Sequence, residues 1–148
     1  VKSQGMDNVK LINKGVWCEE TTIQFEVEGA DAGRISTLNN NNMPKIQVVK
    51  LSNYLDKQID FLKIDIEGAE LAVLIECKHQ LKNVHNIFIE YHSFTNQDQT
   101  LEQILNILKE TGFRYYLDAP GLSSKNPFIN VKKSLGMDMQ LNIYGLRQ

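Results

Sequence analysis

Three carboxylates lie close together in the middle of the chain, at Asp65, Glu67 and Glu70. A second pair of polar side chains, Glu90 and His92, follows the next apolar segment. Carboxylates and a histidine can deprotonate a hydroxyl, orient a polar substrate or hold a cation. These five residues are therefore the first candidates for a chemical site.

Each of these side chains also has a structural interpretation. Asp65 precedes a helical stretch, and a carboxylate near a helix N-terminus is favourable through the helix dipole. The same dipole accounts for Glu67 or Glu70 singly, but three carboxylates exceed what one helix end needs. His92 is either a general base near neutral pH or a histidine in a surface loop. Gly68, between the carboxylates, permits a tight turn or the close approach of a ligand.

The hydrophobic pattern indicates the elements that position these residues. Apolar runs and apolar–polar alternation predict strands at residues 9–12, 22–28, 46–49, 61–65, 87–91, 113–117 and 140–146. Apolar residues at steps of three and four predict one helix after Gly68, through Leu71, Leu74 and Ile75, and another over 101–108 that ends before Gly112. Ser52 suits the N-cap of a short helix.

The order strand, helix, strand, helix, strand predicts a parallel sheet with right-handed crossovers. The last two strands are joined without a clear helix, which favours an antiparallel pair. We therefore expect an open α/β sheet, mostly parallel, with an antiparallel C-terminal strand. Ligands bind beyond the carboxyl ends of parallel strands in such sheets. Asp65 and Glu67 should thus face the same crevice as Glu90 and His92.

The composition is that of a soluble globular protein, with 148 residues, 42% hydrophobic and 23% charged, which fits one domain over residues 1–148. The net charge of -2 gives no electrostatic footprint for nucleic acid or an anionic membrane. No apolar run reaches the roughly 18 residues of a membrane span. Cys18 and Cys77 are interpreted as reduced core or near-core thiols, as in a cytoplasmic protein.

Residues 63–70 read Lys-Ile-Asp-Ile-Glu-Gly-Ala-Glu, with Leu74 four positions on. This segment closely resembles the hallmark of FkbM-type methyltransferases. Weaker likenesses flank it in the expected order, at residues 9–16, 32–36, 49–55, 89–92 and 142–145. The resemblance covers nearly the whole chain, and its eight-residue hallmark is the specific part.

The resemblance implies a Rossmann-like class I methyltransferase sheet that uses S-adenosylmethionine to methylate a hydroxyl of a small molecule, often a sugar or a secondary metabolite. The implied catalytic residues are Asp65, Glu90 and His92. The residues implied to bind the cofactor are Asn13, Lys14, Gly15 and Asp65. The candidates for substrate binding are Glu67, Glu70 and Arg34. Without the resemblance, the default interpretation of Arg34 is a solvated arginine in a loop, and the alternative is a contact with an anionic substrate.

The chain departs from the family in one respect, because its glycines do not form the GxGxxG spacing of a cofactor turn. We therefore expect an N-terminally truncated domain that matches the C-terminal two-thirds of the family and lacks its first strands. Such a chain should bind the cofactor weakly and associate with a second copy through an open strand edge. Two alternatives stay open: a non-catalytic Rossmann-like binding domain, and a transferase or hydrolase that holds Mg²⁺ with Asp65 and Glu67. The leading interpretation requires no metal.

Overall fold

The computed structural model describes residues 8–28, 32–35, 44–120 and 124–147, with the side chains of residues 25–28 and 32–35 excepted. Within these ranges the fold is mixed α/β, with two four-stranded sheets. The strands are β1 (Gly15–Val16), β2 (Thr21–Glu28), β3 (Ala32–Ile35), β4 (Lys45–Val49), β5 (Ile59–Ile64), β6 (Val84–Phe94), β7 (Arg114–Asp118) and β8 (Met137–Leu146). The helices are α1 (Glu70–Cys77) and α2 (Leu101–Glu110), with one-turn 3-10 helices at Leu51–Tyr54 and Gln80–Asn83.

The second sheet has the strand order β5-β6-β8-β7. Strands β5 and β6 are parallel, whereas β8 is antiparallel to both of its neighbours, β6 and β7. Three strands therefore run in one direction, and the last strand of the chain is inserted among them in the opposite direction. The expected antiparallel pairing of the final two strands is confirmed. The expectation of one mostly parallel sheet is wrong, because the described residues form two mixed sheets in which two strand pairs are parallel and four are antiparallel.

The strands predicted at 22–28 and 46–49 are confirmed as β2 and β4, but their place in a separate first sheet, ordered β1-β4-β2-β3, was not expected from the sequence. Its only parallel pair is β1 with β4, where Gly15 lies opposite Val48. The strand predicted at residues 9–12 is wrong, since this segment has no regular structure and Leu11 is 72% exposed. The backbone turns there, with the Lys14 N–H donating to the Ile12 carbonyl at 2.9 Å. An apolar run alone does not specify a strand, because a strand also needs a partner edge for its backbone groups.

The core of the second sheet is built by both helices together with alternate residues of its central strands. Its fully buried members include Leu74, Leu81, Ile87, Ile89, Tyr91, Ile104, Leu108 and Ile143. The predicted stripe on α1 is partly wrong, because Ile75 is exposed and the buried positions are Glu70, Val73, Leu74 and Cys77. These four follow the i, i+3, i+4, i+7 spacing of one helix face, and that face begins with a carboxylate.

Two other local predictions can be compared with the structure. Gly112 follows the C-terminal end of α2 with φ 86°, the conformation predicted for it. Ser52, in contrast, is not an N-cap: it lies inside the first 3-10 helix, which Lys50 precedes, and its hydroxyl donates to Glu76 of α1 at 2.5 Å. Both cysteines are free, and burial raises the pKa of Cys77 to about 12. Within the described ranges, neither helix has the length and apolar character of a membrane span.

Candidate active site

The carboxyl end of β5 meets the outer part of β6. The parallel register places Ile64 opposite Ile89, so Asp65 and Glu90 follow side by side. Strand β6 continues to Phe94, which places His92 two residues beyond Glu90 on the same face of the sheet. One side-chain oxygen each of Asp65 and Glu90 and one ring nitrogen of His92 lie within 4.8 Å of one another. The two sets of side chains are therefore brought together at this edge of the sheet, as expected, and this edge is called the crevice below.

His92 is held inside the protein by its contacts with carboxylates. It lies within a strand and is only 6% exposed, so the surface-loop interpretation is wrong. Its Nδ1 lies 3.3 Å from Oε1 of Glu70, and this carboxylate oxygen accepts the hydrogen bond from the Nδ1–H group. The opposite ring nitrogen, Nε2, lies 3.7 Å from Glu90 Oε1 and 3.9 Å from Glu67 Oε2. One ring nitrogen is thus fixed, and the other faces the carboxylates of the crevice.

Glu70 occupies the first position of α1 and is only 1% exposed. Its Oε1 also accepts a hydrogen bond from the backbone N–H of Gly68 at 3.0 Å. The turn that brings Gly68 to this position has positive φ at two successive residues, 53° at Glu67 and 95° at Gly68. The structure therefore places Glu70 beneath His92, a position suited to orienting the imidazole. The sequence predicted Glu70 as a substrate contact.

Two residues that the sequence did not single out complete the rim of the crevice. Lys63 pairs with Asp65 at 3.1 Å, and the side-chain amide of Gln140 donates to Glu90. Asp65 does not cap α1, whose N-cap is Ala69 without a side-chain cap. Lys63 precedes Asp65 by two positions, a signal visible in the sequence. Gln140 could be identified only from the pairing of β6 with β8, which sets it opposite His92.

Charge within the crevice shifts the protonation of two groups. Burial lowers the pKa of His92. The neighbouring carboxylates raise it, first Glu70 and then Glu67 and Glu90, and the net effect is a pKa above the ordinary value. Burial is the largest of the effects that raise the pKa of Glu67. His92 lowers this pKa and Asp65 raises it, and the net pKa is also above the ordinary value. Both groups therefore bind a proton more tightly in the folded protein than in an unfolded chain.

The remaining predicted residues belong to the first sheet. Asn13 and Lys14 are exposed and lead into β1, where Gly15 pairs with β4. Lys14 borders a shallow cavity of about 280 Å³ that Glu20 and Gln47 also line. Arg34 lies in strand β3, opposite Glu26, and not in a loop, but its side chain is outside the described part of the structure.

In α/β proteins with open sheets, ligand sites lie beyond the carboxyl ends of the parallel strands. The fold and the charged groups beyond β5 place this protein in that class. Comparison with protein families identifies the group within this class: the chain matches the Methyltransferase FkbM domain over residues 6–115. Because the match spans well over half of the chain, the chain belongs to this family.

The matched range contains both predicted sets of site residues, and it lies in the N-terminal part of the chain. The likeness expected at 142–145 falls outside it, and the expected match to the C-terminal two-thirds of the family is wrong in that detail. Neither a curated protein nor a solved structure matched the chain.

Proposed function

We propose that this domain transfers a methyl group from S-adenosylmethionine to a hydroxyl group of a small molecule, at the crevice of Asp65, Glu90 and His92. The observation that carries the proposal is the buried Glu70–His92 pair, whose second ring nitrogen faces the crevice inside the matched methyltransferase domain. The antiparallel insertion of β8 among three parallel strands further supports a Rossmann-like methyltransferase sheet.

The charges of the crevice fit the proposed cofactor. S-adenosylmethionine supplies its methyl group on a positively charged sulfonium. The crevice offers the carboxylates of Asp65, Glu67 and Glu90, with Lys63 as a neighbouring cation. This excess of negative charge favours a cationic ligand. The family resemblance adds Asn13, Lys14 and Gly15 to the proposed cofactor contacts.

His92 is the proposed general base. Its Nε2 would take the proton of the acceptor hydroxyl, whose oxygen would receive the methyl group that S-adenosylmethionine supplies when bound. Glu70 keeps the Nδ1–H in place and stabilises the imidazolium that results, while Asp65 and Glu90 orient the acceptor. Only the neutral imidazole can accept this proton, so the reaction rate should rise with pH through a His92 pKa above the ordinary value of about 6.5.

Calorimetric titration of the protein with S-adenosylhomocysteine tests the use of this cofactor. We expect saturable binding, weakened about tenfold or more by Asp65→Asn because Asp65 is proposed to contact the cofactor. The exposed loop residue Asp56 provides the matched control Asp56→Asn, which should bind as the unmodified protein does. A full-length protein that gives no binding heat would exclude S-adenosylmethionine as the methyl donor.

A second candidate function, metal-assisted transfer or hydrolysis, is favoured by one observation. Asp65, Glu90 and His92 offer three ligand atoms within 4.8 Å, a better set than the Asp65 and Glu67 pair predicted from the sequence. Bonds of about 2.0–2.2 Å place two ligands of one ion at most about 4.4 Å apart, so a small closure would be needed. Titration with Mn²⁺ tests it: a melting temperature that rises with Mn²⁺, but not in Asp65→Asn, favours this function. An unchanged melting temperature rejects it.

A further inference from the structure

The segment between β7 and β8 presents apolar side chains to solvent. At residues 126–130 the backbone forms a compact turn, in which the N–H groups of Ile129 and Asn130 both donate to the Asn126 carbonyl, at 3.0 and 2.9 Å. At the tip of this turn Phe128 is fully exposed and Ile129 is 87% exposed. Two adjacent large apolar side chains held outward in this way indicate a surface that contacts something other than water.

A second turn in the same segment exposes a leucine side chain to solvent. Ser134 and Met137 exchange backbone hydrogen bonds of 3.0 and 2.8 Å, and the two residues between them have positive φ, 51° at Leu135 and 81° at Gly136. Leu135 is 77% exposed. The left-handed region is unfavourable for leucine, and this side chain gains little packing in return. An exposed leucine in this conformation is therefore a second sign of an external contact.

The charged residues at positions 119–137 are all of one sign. Lys125, Lys132 and Lys133 are exposed, and no aspartate or glutamate occurs at positions 119–137, although the chain as a whole has a net charge of -2. Lysines that alternate along the segment with exposed phenylalanine, isoleucine and leucine complement an anionic lipid surface, because the ammonium groups attract the headgroups and the apolar tips enter the interface. A nucleic acid would contact the lysines but leave Ile129 and Leu135 uncovered.

We propose that residues 124–136, here named the docking loop, bind the surface of an anionic lipid bilayer with Phe128, Ile129 and Leu135 inserted among the headgroups. The docking loop is joined to the candidate site, since the Thr95 N–H, directly after β6, donates to the Gly136 carbonyl at 3.0 Å. The proposal does not depend on methyl transfer.

Sedimentation with vesicles tests the charge of the surface in the full-length protein. We expect binding to vesicles of equal parts phosphatidylcholine and phosphatidylserine, decreasing with salt, and little binding to phosphatidylcholine alone. The double variant Lys132→Gln/Lys133→Gln should bind about 30-fold more weakly, given the usual attraction of a lysine to such a surface. The control Lys57→Gln/Lys82→Gln removes two exposed lysines elsewhere and should bind normally. No binding to the mixed vesicles, or equal loss in the control, overturns the proposal.

A second pair of variants tests insertion. Phe128→Ser/Ile129→Ser should weaken vesicle binding at least about tenfold, since the apolar area no longer enters the interface. Tyr116→Ser, which removes an exposed aromatic ring from β7, is the control and should have no effect. The emission of Phe128→Trp should shift to shorter wavelength with the mixed vesicles, a readout that does not require a loss of binding. If Phe128→Ser/Ile129→Ser binds vesicles as the unmodified protein does, or if the emission of Phe128→Trp does not shift, the apolar side chains do not insert. Either result would reject lipid docking.

Discussion

His92 and Glu70 determine each other's environment at the centre of the site. Burial alone would lower the pKa of His92 and keep its imidazole neutral. The carboxylate of Glu70 is the largest of the effects that raise this pKa. Because the same carboxylate oxygen binds the Gly68 N–H, the proton on Nδ1 has a fixed acceptor. We therefore treat Glu70 as a positioning residue and His92 as the residue that reacts.

Glu70→Gln tests this relation through the pKa of His92. The substitution preserves the size of the side chain and removes its charge, so burial should dominate and the pKa of His92 should fall. The measurement is an NMR titration of the imidazole C–H signals. Glu102→Gln, in the first turn of α2, removes an equivalent but exposed carboxylate and should leave that pKa unchanged. An unaltered His92 pKa in Glu70→Gln would contradict the assignment.

The same pKa makes folding stability depend on pH. The native protein binds the His92 proton more tightly than the unfolded chain, so this stabilisation is fully present below about pH 6.5 and is lost as pH rises through the higher folded pKa. The difference in unfolding free energy between the unmodified protein and His92→Gln should therefore shrink over that window in urea titrations. His85→Gln, at an exposed position, is the control. A difference that grows with pH would mean that the pKa is lowered.

The residues of the site were largely predictable because polar groups at the ends of neighbouring parallel strands meet at one edge. Asp65, Glu90 and His92 are brought together for this reason. The division of roles was not predictable. Only the tertiary structure shows that Glu70 is buried beneath the histidine, while Glu67, three positions earlier, remains at the rim.

The turn between β5 and α1 is the element on which the geometry of the site depends. Gly68 has φ 95°, and a Cβ built there would lie 2.9 Å from the ring of Phe94, a residue that is itself buried. The turn therefore requires glycine for both backbone conformation and space. Any shift of Gly68 would also displace the N–H that binds Glu70.

Gly68→Ala should lower the free energy of unfolding by about 2–3 kcal/mol, from the left-handed backbone and the contact with Phe94. Gly136→Ala isolates the backbone contribution, since its φ is 81° but the nearest atom to its Cβ is 3.9 Å away. It should lose only about 1 kcal/mol. Urea unfolding gives both values. Equal losses in the two variants would show that the packing against Phe94 is unimportant.

At the scale of elements, strongly periodic segments were predicted correctly and weakly patterned ones were not. Helix α2 and strands β2, β4 and β5 to β8 match the elements predicted from their patterns, whereas the predicted stripe on α1 is wrong at Ile75. The run at 9–12 has no partner strand among the described residues, and the pairing of the first sheet depends on hairpin and long-range contacts that hydrophobic periodicity does not encode.

In the whole molecule, Arg147 connects elements that are distant in the sequence. Its guanidinium donates to the carbonyls of Leu81, Val84 and Thr111, at 2.9, 3.0 and 2.6 Å, and lies over the ring of Phe113. These contacts join the end of β8 to the start of β6 and the end of α2. A planar group with several donors in a fixed geometry is needed to reach all three carbonyls.

Arg147→Lys should therefore lower the free energy of unfolding by about 2–3 kcal/mol, because an ammonium group cannot replace three directed hydrogen bonds. The measurement is urea unfolding, with an unchanged dependence on urea concentration as evidence that the fold is intact. Arg114→Lys on the exposed strand β7 should change stability by less than about 0.5 kcal/mol. Similar stabilities for the two variants would contradict the role of Arg147.

The central claim is that His92 removes the proton of a hydroxyl acceptor during methyl transfer. The most direct test is the rate at which the full-length protein transfers a labelled methyl group from S-adenosylmethionine to the small-molecule fraction of a cell extract. We predict that His92→Gln lowers this rate at least about 100-fold while its affinity for S-adenosylhomocysteine is unchanged, and that His85→Gln has the normal rate. A normal rate in His92→Gln, or a loss explained entirely by weaker cofactor binding, would contradict the claim.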